Sequence, residues 1–356
     1  MNKILFGGAF DPIHLGHINM ATLASKQLNA NVIFIPSKLS VWKNESTDIS
    51  HRLEMVELSI KDNPSFSIDL YEVNNEKEKT FSIETARYFV NKYPNDKFFY
   101  LIGADQVNLF HLWKEAEELS NIVQIIFFSR PDFPLEEENI KKYHMLEISG
   151  EMIDVSSTDI RSLKSLQLAE GVIDYILTNN LYFVPVIRSY IGEKRYKHSV
   201  EVAKLAYQIA KSNGVPRPDR AFIAGLVHDI GKEIDQKPIM EAHYKDYFDL
   251  PRFAYHQFAG EYVAKKEFGI VDSEILEAIK FHATGNEKMS LLAKIIYAAD
   301  KIEPTRGFDS SKLIEEMMVD AEKGFISVLK ANKEFLSEHR GDINNRLTSK
   351  CFAYYL

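Results

Sequence analysis

Short apolar runs alternate with amphipathic stretches in the first half of the chain. The runs at residues 4–6, 32–35, 98–102 and 122–128 are apolar without alternation, whereas residues 18–28, 52–61 and 82–93 have helical spacing. A parallel strand is covered on both faces and therefore has an unbroken apolar run. Strands that alternate with helices in this way predict βαβ units around a parallel sheet.

The second half of the chain has a different pattern. From about residue 187 the strand-like runs disappear, and apolar residues recur at helical spacing, as in Val200, Ala203, Ala206 and Ile209. Similar patterns cover residues 258–268, 275–281, 291–302 and 313–336. Pro185 marks a break between the two patterns. We therefore expect an α/β domain over residues 1–184 and an all-α domain over residues 187–356.

Composition narrows the classes of partner. The 356 residues include 43 basic and 51 acidic side chains, a net charge of −8, which argues against nucleic-acid or membrane partners. Cys351 is the one cysteine, so no internal disulfide can form, and a reducing, cytoplasmic compartment is expected. The apolar start is too short for a signal peptide, and no run approaches the ~20 residues of a membrane span.

The string GGAFDPIHLGH (residues 7–17) lies between the first predicted strand and the first predicted helix. Gly7 and Gly8 let the backbone turn tightly and approach a ligand. His14 and His17 are three residues apart, so on a first helical turn they face the same way. Because a helix N-terminus attracts anions, this pattern predicts a polyphosphate site.

A second string, SSTDIR (residues 156–161), has the S-x-x-D form that begins many helices. Its hydroxyl groups, its backbone N–H groups and the Arg161 guanidinium would again offer donors to phosphate. On its own this string predicts only a helix start.

Together the two strings resemble the nucleotidyltransferase superfamily with the H-x-G-H signature, and within it the bacterial nicotinate-nucleotide adenylyltransferases, which have Rossmann-like folds. LIGAD (101–105), LWK (112–114) and FSRP (128–131) support the resemblance. It implies direct in-line adenylyl transfer from ATP, carried with Mg²⁺, to nicotinate mononucleotide, with pyrophosphate as the other product. The sequence departs from the family at Ala9, where Thr or Ser is usual, and at VWK (41–43), which lacks the usual Pro-His.

The same resemblance implies the roles of individual residues. His14 and His17 would bind the triphosphate, and Ser157 and Arg161 would hold its β- and γ-phosphates. Asp105 would contact the nucleotide sugar, and Trp113 would lie against the nicotinate ring. The remaining expected substrate contacts are Gly7, Gly8, Phe10, Arg130, Ser156 and Thr158.

In the second half, GLVHDIGK (residues 225–232) places His228 next to Asp229. Adjacent side chains on a helix project about 100° apart, so both can face one metal. A nitrogen and a hard oxygen suit Mn, Fe, Zn or Mg. Other candidate ligands within apolar helical patterns, where an unpaired polar group is costly, are His198, His256, His282 and Asp300.

This H…HD…H…H…D pattern resembles the HD-domain phosphohydrolases. With EPTR (303–306) after the last aspartate, it is most similar to the bacterial symmetrical diadenosine tetraphosphate hydrolases. The resemblance implies two divalent or mixed-valence ions, with iron expected and manganese as the alternative. One ion would use His198, His228, Asp229 and Asp300, and the other His256, His282 and a bridging Asp229. Lys232 and Arg306 would neutralise a polyphosphate that is cleaved to two ADP.

Two alternatives stay open at this point. The first keeps both folds with other substrates: pantetheine phosphate in the first domain, and a deoxynucleotide or cyclic dinucleotide in the second. In the other, the helical domain senses a nucleotide without turning it over. The favoured prediction is a bifunctional enzyme with small nucleotides as partners, and it leaves oligomerisation open.

Overall fold

The apolar runs of the first half form strands of one parallel sheet. A computed structural model describes residues 1–38, 46–77, 79–130, 133–338 and 345–356. The strands hydrogen-bond in the order β3-β2-β1-β4-β5-β6, and each pair is parallel. Their bounds are β1 (Asn2–Gly8), β2 (Asn31–Pro36), β3 (Phe66–Ile68), β4 (Lys97–Ile102), β5 (Gln124–Phe127) and β6 (Leu146–Glu147).

Helices cover this sheet, and its strands are apolar because both of their faces are buried. Leu5 and Ile125 in the strands, for example, pack in one core with Phe89 and Leu119 from the helices. The helices of this half are α1 (Leu15–Leu28), α2 (Ile49–Ile60), α3 (Tyr71–Asn74), α4 (Ser82–Lys92), α5 (Ala104–Leu109), α6 (Ala116–Ile122), α7 (Glu137–Lys142), α8 (Ser157–Arg161) and α9 (Val172–Thr178), with a 3₁₀ turn at Phe110–Leu112.

The strand order creates a crevice beside β1. The chain moves outward from β1 to β2 and β3, and then returns to the other side of β1 with β4. At such a switch point the loops that follow the two strands diverge, and ligands of doubly wound sheets bind there. The loop that begins at Gly8 and the loop that begins at Gly103 therefore border the crevice.

The second half is helical throughout its described residues. Its helices are α10 (Val184–Tyr190), α11 (Glu193–Ser212), α12 (Asp219–Val227), α13 (Lys237–His243), α14 (Tyr255–Phe268), α15 (Ser273–Phe281), α16 (Leu291–Ile302), α17 (Ser311–Val319), α18 (Ala321–Glu338) and α19 (Arg346–Tyr355), with 3₁₀ turns at Lys245–Tyr247, Arg252–Ala254 and Pro304–Arg306. The predicted fold class, a Rossmann-like sheet domain followed by a helical domain, is confirmed.

The structure adds local detail to these expectations. Pro185, near which the boundary between the two patterns was placed, lies in the first turn of α10, where its missing N–H costs nothing. The pattern at 313–336 is two helices, α17 and α18, because Asp320 adopts an extended conformation between them. The short strands β3 and β6 were not predicted.

Two compact units divide the chain. One contains residues 1–158 and 167–175, and the other contains residues 159–166 and 176–356. Across the described ranges, no helix is long and apolar enough to cross a lipid bilayer.

Candidate functional sites

Gly7 and Gly8, at the end of β1, lie so close to neighbouring side chains that a Cβ atom would not fit. A Cβ atom on Gly7 would lie 2.8 Å from the Tyr100 hydroxyl oxygen, and one on Gly8 would lie 3.2 Å from the Phe10 ring. The backbone of this loop is thereby held at the crevice between β1 and β4.

His14 and His17 cap the first turn of α1 together. The His17 N–H points to Nδ1 of His14 at 3.4 Å, the His14 N–H points to Nδ1 of His17 at 3.3 Å, and the rings stack with centroids 3.7 Å apart. Because both Nδ1 atoms accept, the proton of each neutral ring is on Nε2, which can donate to a phosphate oxygen. Burial, with help from His14 and Arg130, holds the pKa of His17 well below the ordinary histidine value.

The two aromatic residues predicted to contact substrate pack against other aromatic rings. The Phe10 side chain is buried and packs edge-on against His17 with centroids 5.2 Å apart, so it supports that imidazole. Trp113 is half-buried and packs against Phe110 and Tyr100. Its indole Nε1 is buried and has no hydrogen-bond partner among the described residues.

Other predicted substrate contacts lie around the same crevice or on α8. Asp105 is exposed in the first turn of α5, directly after β4, and Arg130 is exposed beyond β5. The Ser157 hydroxyl donates to the carbonyl oxygen of Pro12 at 2.9 Å. Ser156 precedes α8 and Thr158 lies in it, while Arg161 ends α8 and belongs to the second compact unit. The departure at 41–43 falls outside the described residues.

Arg52 organises this turn, and the sequence did not mark it as functional. Its guanidinium is 1% exposed and donates to carbonyl oxygens of Ala9, Ser37, Lys38 and Thr47 at 2.7–2.9 Å. One buried cation therefore joins the loop after β1 to the loop after β2. The sequence pattern placed Arg52 in a helix at residues 52–61. An arginine in a helix is common, so nothing in the sequence indicated that it would be buried and bind carbonyl oxygens.

In the helical domain, glycines allow the His228–Asp229 pair to lie close to neighbouring helices. A Cβ atom on Gly225 would lie 2.7 Å from Cα of Ala203 in α11. A Cβ atom on Gly231 would lie 2.4 Å from both the amide nitrogen of Gly260 and the carbonyl oxygen of His256. These close approaches bring α11 and α14 to the segment that carries His228 and Asp229.

Asp229 is the centre of one cluster of predicted ligands. Its Oδ1 lies 3.3 Å from Nε2 of His256 and 3.3 Å from Nε2 of His282. These two nitrogens are 3.0 Å apart, and Nε2 of His228 is 3.9 Å from the same oxygen.

Asp300 is the centre of a second cluster. Its Oδ1 lies 3.2 Å from Nε2 of His198 and 3.6 Å from Nε2 of His228. His228 thus lies between the two clusters, and all six predicted ligand side chains come together.

Three of the histidines are oriented in the same way. Nδ1 of His228, His256 and His282 lies 2.5–2.8 Å from the carbonyl oxygen of the residue three positions earlier in each case. A carbonyl can only accept, so each Nδ1 carries the proton and each Nε2 presents its lone pair to the cluster. This is the tautomer that binds a metal through Nε2.

The charge states agree with a set of metal ligands. Burial lowers the pKa of His256, and lowers that of His282 to about 3, so both rings are neutral near pH 7. Burial alone would raise the pKa of Asp229, but the neighbouring histidines outweigh it and hold that pKa well below its usual range. Asp300 is held low in the same way, mainly by Lys301 and His198.

Several charged groups surround the clusters. Nδ1 of His198 bonds Oε1 of Glu303 at 3.1 Å, and Glu303 is buried. Arg195 donates to Oδ2 of Asp229 at 2.7 Å, and Lys232 lies 3.5 Å from its Oδ1. Arg306, predicted to bind phosphate, donates to Oδ1 of Asp300 at 2.5 Å.

Glu303 and Arg195 were not predicted to act in this site. Arg195 precedes His198 by three residues in α11, an i, i+3 spacing that was a signal in the sequence. Glu303 follows directly after the end of α16, three residues beyond Asp300.

These residues fit a divalent cation. The Nε2 atoms of neutral His256 and His282 converge with ionised carboxylate oxygens, an arrangement that a cation would stabilise. Burial alone would lower the pKa of His228, but Asp229 and Asp300 outweigh it and raise that pKa, and a bound cation would take the place of the Nε2 proton. Nε2 of His228 is buried and lacks a hydrogen-bond partner within the described part of the chain. Neutral imidazoles and carboxylates suit Mn, Fe or Zn, so an HD domain with divalent-metal ligands is consistent with the geometry.

Comparison with known proteins agrees with this description. The family model described as cytidylyltransferase-like matches residues 5–163, which makes the first half a nucleotidyltransferase-type domain. A nicotinate-nucleotide adenylyltransferase of Bacillus subtilis is 37% identical over 192 residues, which cover 51% of this chain and 99% of that protein. The chain belongs to the nicotinate-nucleotide adenylyltransferase family.

The second half matches the HD domain model over residues 195–305. A Mycoplasma genitalium protein named as a probable nicotinate-nucleotide adenylyltransferase/Ap4A hydrolase is 28% identical over 340 residues, covering 92% of this chain and 96% of that protein. The crystal structure of a predicted HD superfamily hydrolase involved in NAD metabolism, from Clostridium acetobutylicum, is 34% identical, covers 48% of this chain and 93% of that chain, and has a TM-score of 0.43. The resemblance to both families, expected from the motifs, is confirmed.

Proposed function

We propose that the chain is a bifunctional enzyme. Residues 1–184 transfer the adenylyl group of ATP to nicotinate mononucleotide, and residues 187–356 hydrolyse diadenosine tetraphosphate to two ADP. The observation that carries the second assignment is the convergence of four Nε2 atoms and two carboxylates in two adjoining clusters that share His228. The joint name of the Mycoplasma relative, which matches along 92% of this chain, supports the pairing.

Adenylyl transfer needs charge stabilisation rather than a covalent intermediate. A phosphate oxygen of nicotinate mononucleotide attacks the α-phosphorus of ATP, and the bond to the leaving pyrophosphate breaks. The Nε2–H groups of His14 and His17 donate to the triphosphate, and the N-terminus of α1 adds partial positive charge. Ser157 and Arg161 hold the β- and γ-phosphates, and Mg²⁺ accompanies ATP.

The adenylyl acceptor lies at the opposite side of the crevice. Asp105 accepts from a sugar hydroxyl, and Trp113 presents its ring to nicotinate. The buried Nε1–H of Trp113 is an unused donor at that position.

Hydrolysis of the tetraphosphate takes place at its centre. Water adds to one of the two middle phosphorus atoms, the bond to the bridging oxygen breaks, and two ADP form. His198, His228, Asp229, His256, His282 and Asp300 would hold two metal ions, for which iron is our first choice and manganese our second. When bound, such a pair lowers the pKa of water and neutralises charge on attacking and leaving oxygens.

The chain's own cations complete the hydrolytic site. Lys232 and Arg306 are partly exposed beside Asp229 and Asp300. With these carboxylates committed to a metal, both cationic side chains would be available to bind the phosphate chain. Arg195 donates to the other carboxylate oxygen of Asp229, Oδ2. It would become available to the phosphate chain in the same way as Lys232 and Arg306.

The test uses the full-length chain and two single variants. His17→Ala is expected to abolish dinucleotide synthesis and leave ADP release from diadenosine tetraphosphate, with Fe²⁺ or Mn²⁺, unchanged. Asp229→Ala is expected to do the reverse. Loss of both activities in a folded variant would contradict the assignment of the two activities to independent sites. Pantetheine phosphate in the same panel tests the alternative transferase, and metal binding without phosphate-ester cleavage would indicate a sensor.

A further inference from the structure

Lys301 connects the two ligand clusters through a single ammonium group. Its Nζ donates to Oδ2 of Asp300 at 2.6 Å and to the main-chain carbonyl oxygen of His282 at 3.2 Å. Asp300 is the centre of one cluster, and His282 is a candidate ligand of the other. The Lys301 side chain lines the cavity over the clusters but is only 20% exposed. One cation therefore joins α16 to the residue that follows α15.

The first of these hydrogen bonds fixes how Asp300 faces the clusters. With Oδ2 bound by Lys301, Oδ1 is the oxygen that lies 3.2 Å from Nε2 of His198 and 3.6 Å from Nε2 of His228. Arg306 donates to Oδ1 and would yield that oxygen to a metal, whereas Lys301 holds the other oxygen. A carboxylate can bind a metal through one oxygen or through both. The bond from Lys301 leaves Asp300 one oxygen for a metal and sets the rotation of its carboxylate.

The second hydrogen bond acts on the backbone that carries His282. The last carbonyl groups of a helix have no partner within it, and a nearby lysine can satisfy them. The His282 carbonyl is at the end of α15, and Nδ1 of the same residue bonds the carbonyl oxygen of Ile279 at 2.8 Å. His282 is thus held both at its ring and at its main chain.

The Tyr297 ring supports the Lys301 ammonium between these two acceptors. Nζ of Lys301 lies over this ring, 4.9 Å from its centroid, and Tyr297 is 1% exposed one turn earlier in α16. The Tyr297 hydroxyl accepts from Asn332 of α18 at 2.8 Å. A cation over an aromatic face gains free energy, and gains more where it is shielded from water. The position of the ammonium is therefore defined by three contacts.

We propose that Lys301 is a positioning residue that sets the spacing between the two metal ions of the hydrolytic site. The inference rests on the proposed two-metal hydrolase and adds a residue that binds neither metal. Two ions act together on one phosphate when they are ~3.5–4 Å apart. The two sets of ligands must then be held to within about 0.5 Å. Lys301 couples them because it bonds Asp300 of one set and the main chain of His282 of the other.

The experiment measures metal binding by the full-length protein without nucleotide. Mn²⁺ is titrated by equilibrium dialysis, and electron paramagnetic resonance distinguishes an exchange-coupled pair of ions from isolated ions. Wild type is expected to bind two ions and to give the coupled spectrum. Lys301→Met keeps the length of the side chain without its donors. It should raise Kd of the second ion by roughly 10- to 100-fold, the usual effect of losing a group that orients a ligand, and should give the spectrum of isolated ions.

A second variant keeps the test valid if Lys301→Met does not fold. The side chain of Lys301→Gln is polar but one atom shorter, so it cannot reach both oxygens. This variant should show the same loss of the coupled pair.

The sign of the change separates positioning from charge. If Lys301 acted only through its positive charge, its removal would relieve repulsion and tighten the binding of both cations. Because the titration contains no phosphate, loss of a phosphate contact cannot weaken metal binding either. Weaker binding together with loss of the coupled spectrum therefore supports the positioning role.

Lys294→Met is the matched control. Lys294 lies two turns before Lys301 in α16, pairs with Glu322 at 2.6 Å and lies over the Tyr355 ring, 5.3 Å from its centroid. It does not line the cavity, so this variant should retain two coupled ions. An equal loss of the coupled pair in Lys294→Met would show general damage to α16 and would overturn the proposal.

The remaining outcomes are distinct. A coupled spectrum and an unchanged Kd in the Lys301 variants would overturn the proposal, and so would tighter binding. Binding of a single ion by wild type would refute the two-metal site and this inference with it. Failure of a two-ion wild type to release ADP from diadenosine tetraphosphate would refute the hydrolase alone, because the metal titration does not depend on turnover.

Discussion

Glu72 provides a direct test of the energetic reasoning. Its carboxyl group lies in α3, is 6% exposed and accepts a hydrogen bond from the Thr85 hydroxyl at 2.7 Å. Burial raises the pKa of Glu72 from an ordinary 4.5 to about 7, although the Thr85 hydrogen bond opposes the rise. The perturbation is Glu72→Gln, which keeps the shape and an acceptor for Thr85 but removes the titration.

The expected size follows from the two pKa values. The folded protein holds the Glu72 proton more tightly than the unfolded chain does. The protonated carboxyl group therefore contributes to the free energy of unfolding, fully below about pH 4.5, and this contribution is lost as the pH rises through about 7. At 1.36 kcal/mol per pH unit, the loss is about 3 kcal/mol. Glu72→Gln does not titrate and avoids this loss. Its free energy of unfolding relative to wild type should therefore rise by about 3 kcal/mol between about pH 4.5 and about pH 8.

The assay is thermal unfolding of wild type and variant at intervals from about pH 3 to about pH 8, a range that extends below the unfolded-state pKa of glutamate, with the melting of the sheet domain followed separately. The difference in Tm should widen steadily with pH, by several degrees in all. Glu84→Gln is the control with the opposite sign, because a Lys77 hydrogen bond lowers the pKa of Glu84. That variant should lose stability near pH 8 and approach wild type below pH 4.5. If Tm changes with pH to the same extent in wild type and in Glu72→Gln, the raised pKa of Glu72 is refuted.

Three further variants probe the two sites. Gly231→Ala puts a Cβ atom 2.4 Å from two backbone atoms and should reduce metal content by atomic absorption. Gly214→Asn is the control, because no atom lies within 4 Å of that position and asparagine tolerates its left-handed backbone (φ +67°), so this variant should retain the metal. Arg52→Lys cannot reach all four carbonyls and should raise KM for ATP severalfold while hydrolysis is unchanged; equal KM values would exclude the positioning role. Glu303→Gln should weaken metal binding roughly 10- to 100-fold in chelator competition by loosening His198, and unchanged affinity would count against that contact.

The long elements could be predicted from sequence because their signals are local. Unbroken apolar runs correctly indicated β1, β2, β4 and β5, and helical spacing indicated most helices of the second half. β3 and β6 contain three and two residues, too few for a pattern to emerge. The division between α17 and α18 depends on the backbone of Asp320, which hydrophobic spacing does not report.

The sites show the same division between local and long-range information. The grouping of His14 with His17 follows from their spacing in one string. The grouping of the six candidate metal ligands follows from the resemblance of the H…HD…H…H…D pattern to HD-domain phosphohydrolases. The bonds of Arg52 to carbonyls at residues 9, 37 and 38 join loops that are distant in sequence. The burial of Phe10 beneath His17 likewise results from the tertiary packing of the turn.

The hydrogen bonds behind the ligand imidazoles have a consequence for how this centre can change. His228, His256 and His282 are anchored to main-chain carbonyls, which no side-chain replacement can remove. His198 alone among the four is anchored to a carboxylate, that of Glu303. Natural drift or protein engineering can therefore adjust the electron donation of His198 by a single codon change at position 303. The basicity of the other three histidines stays the same as long as the backbone of their helices is unchanged.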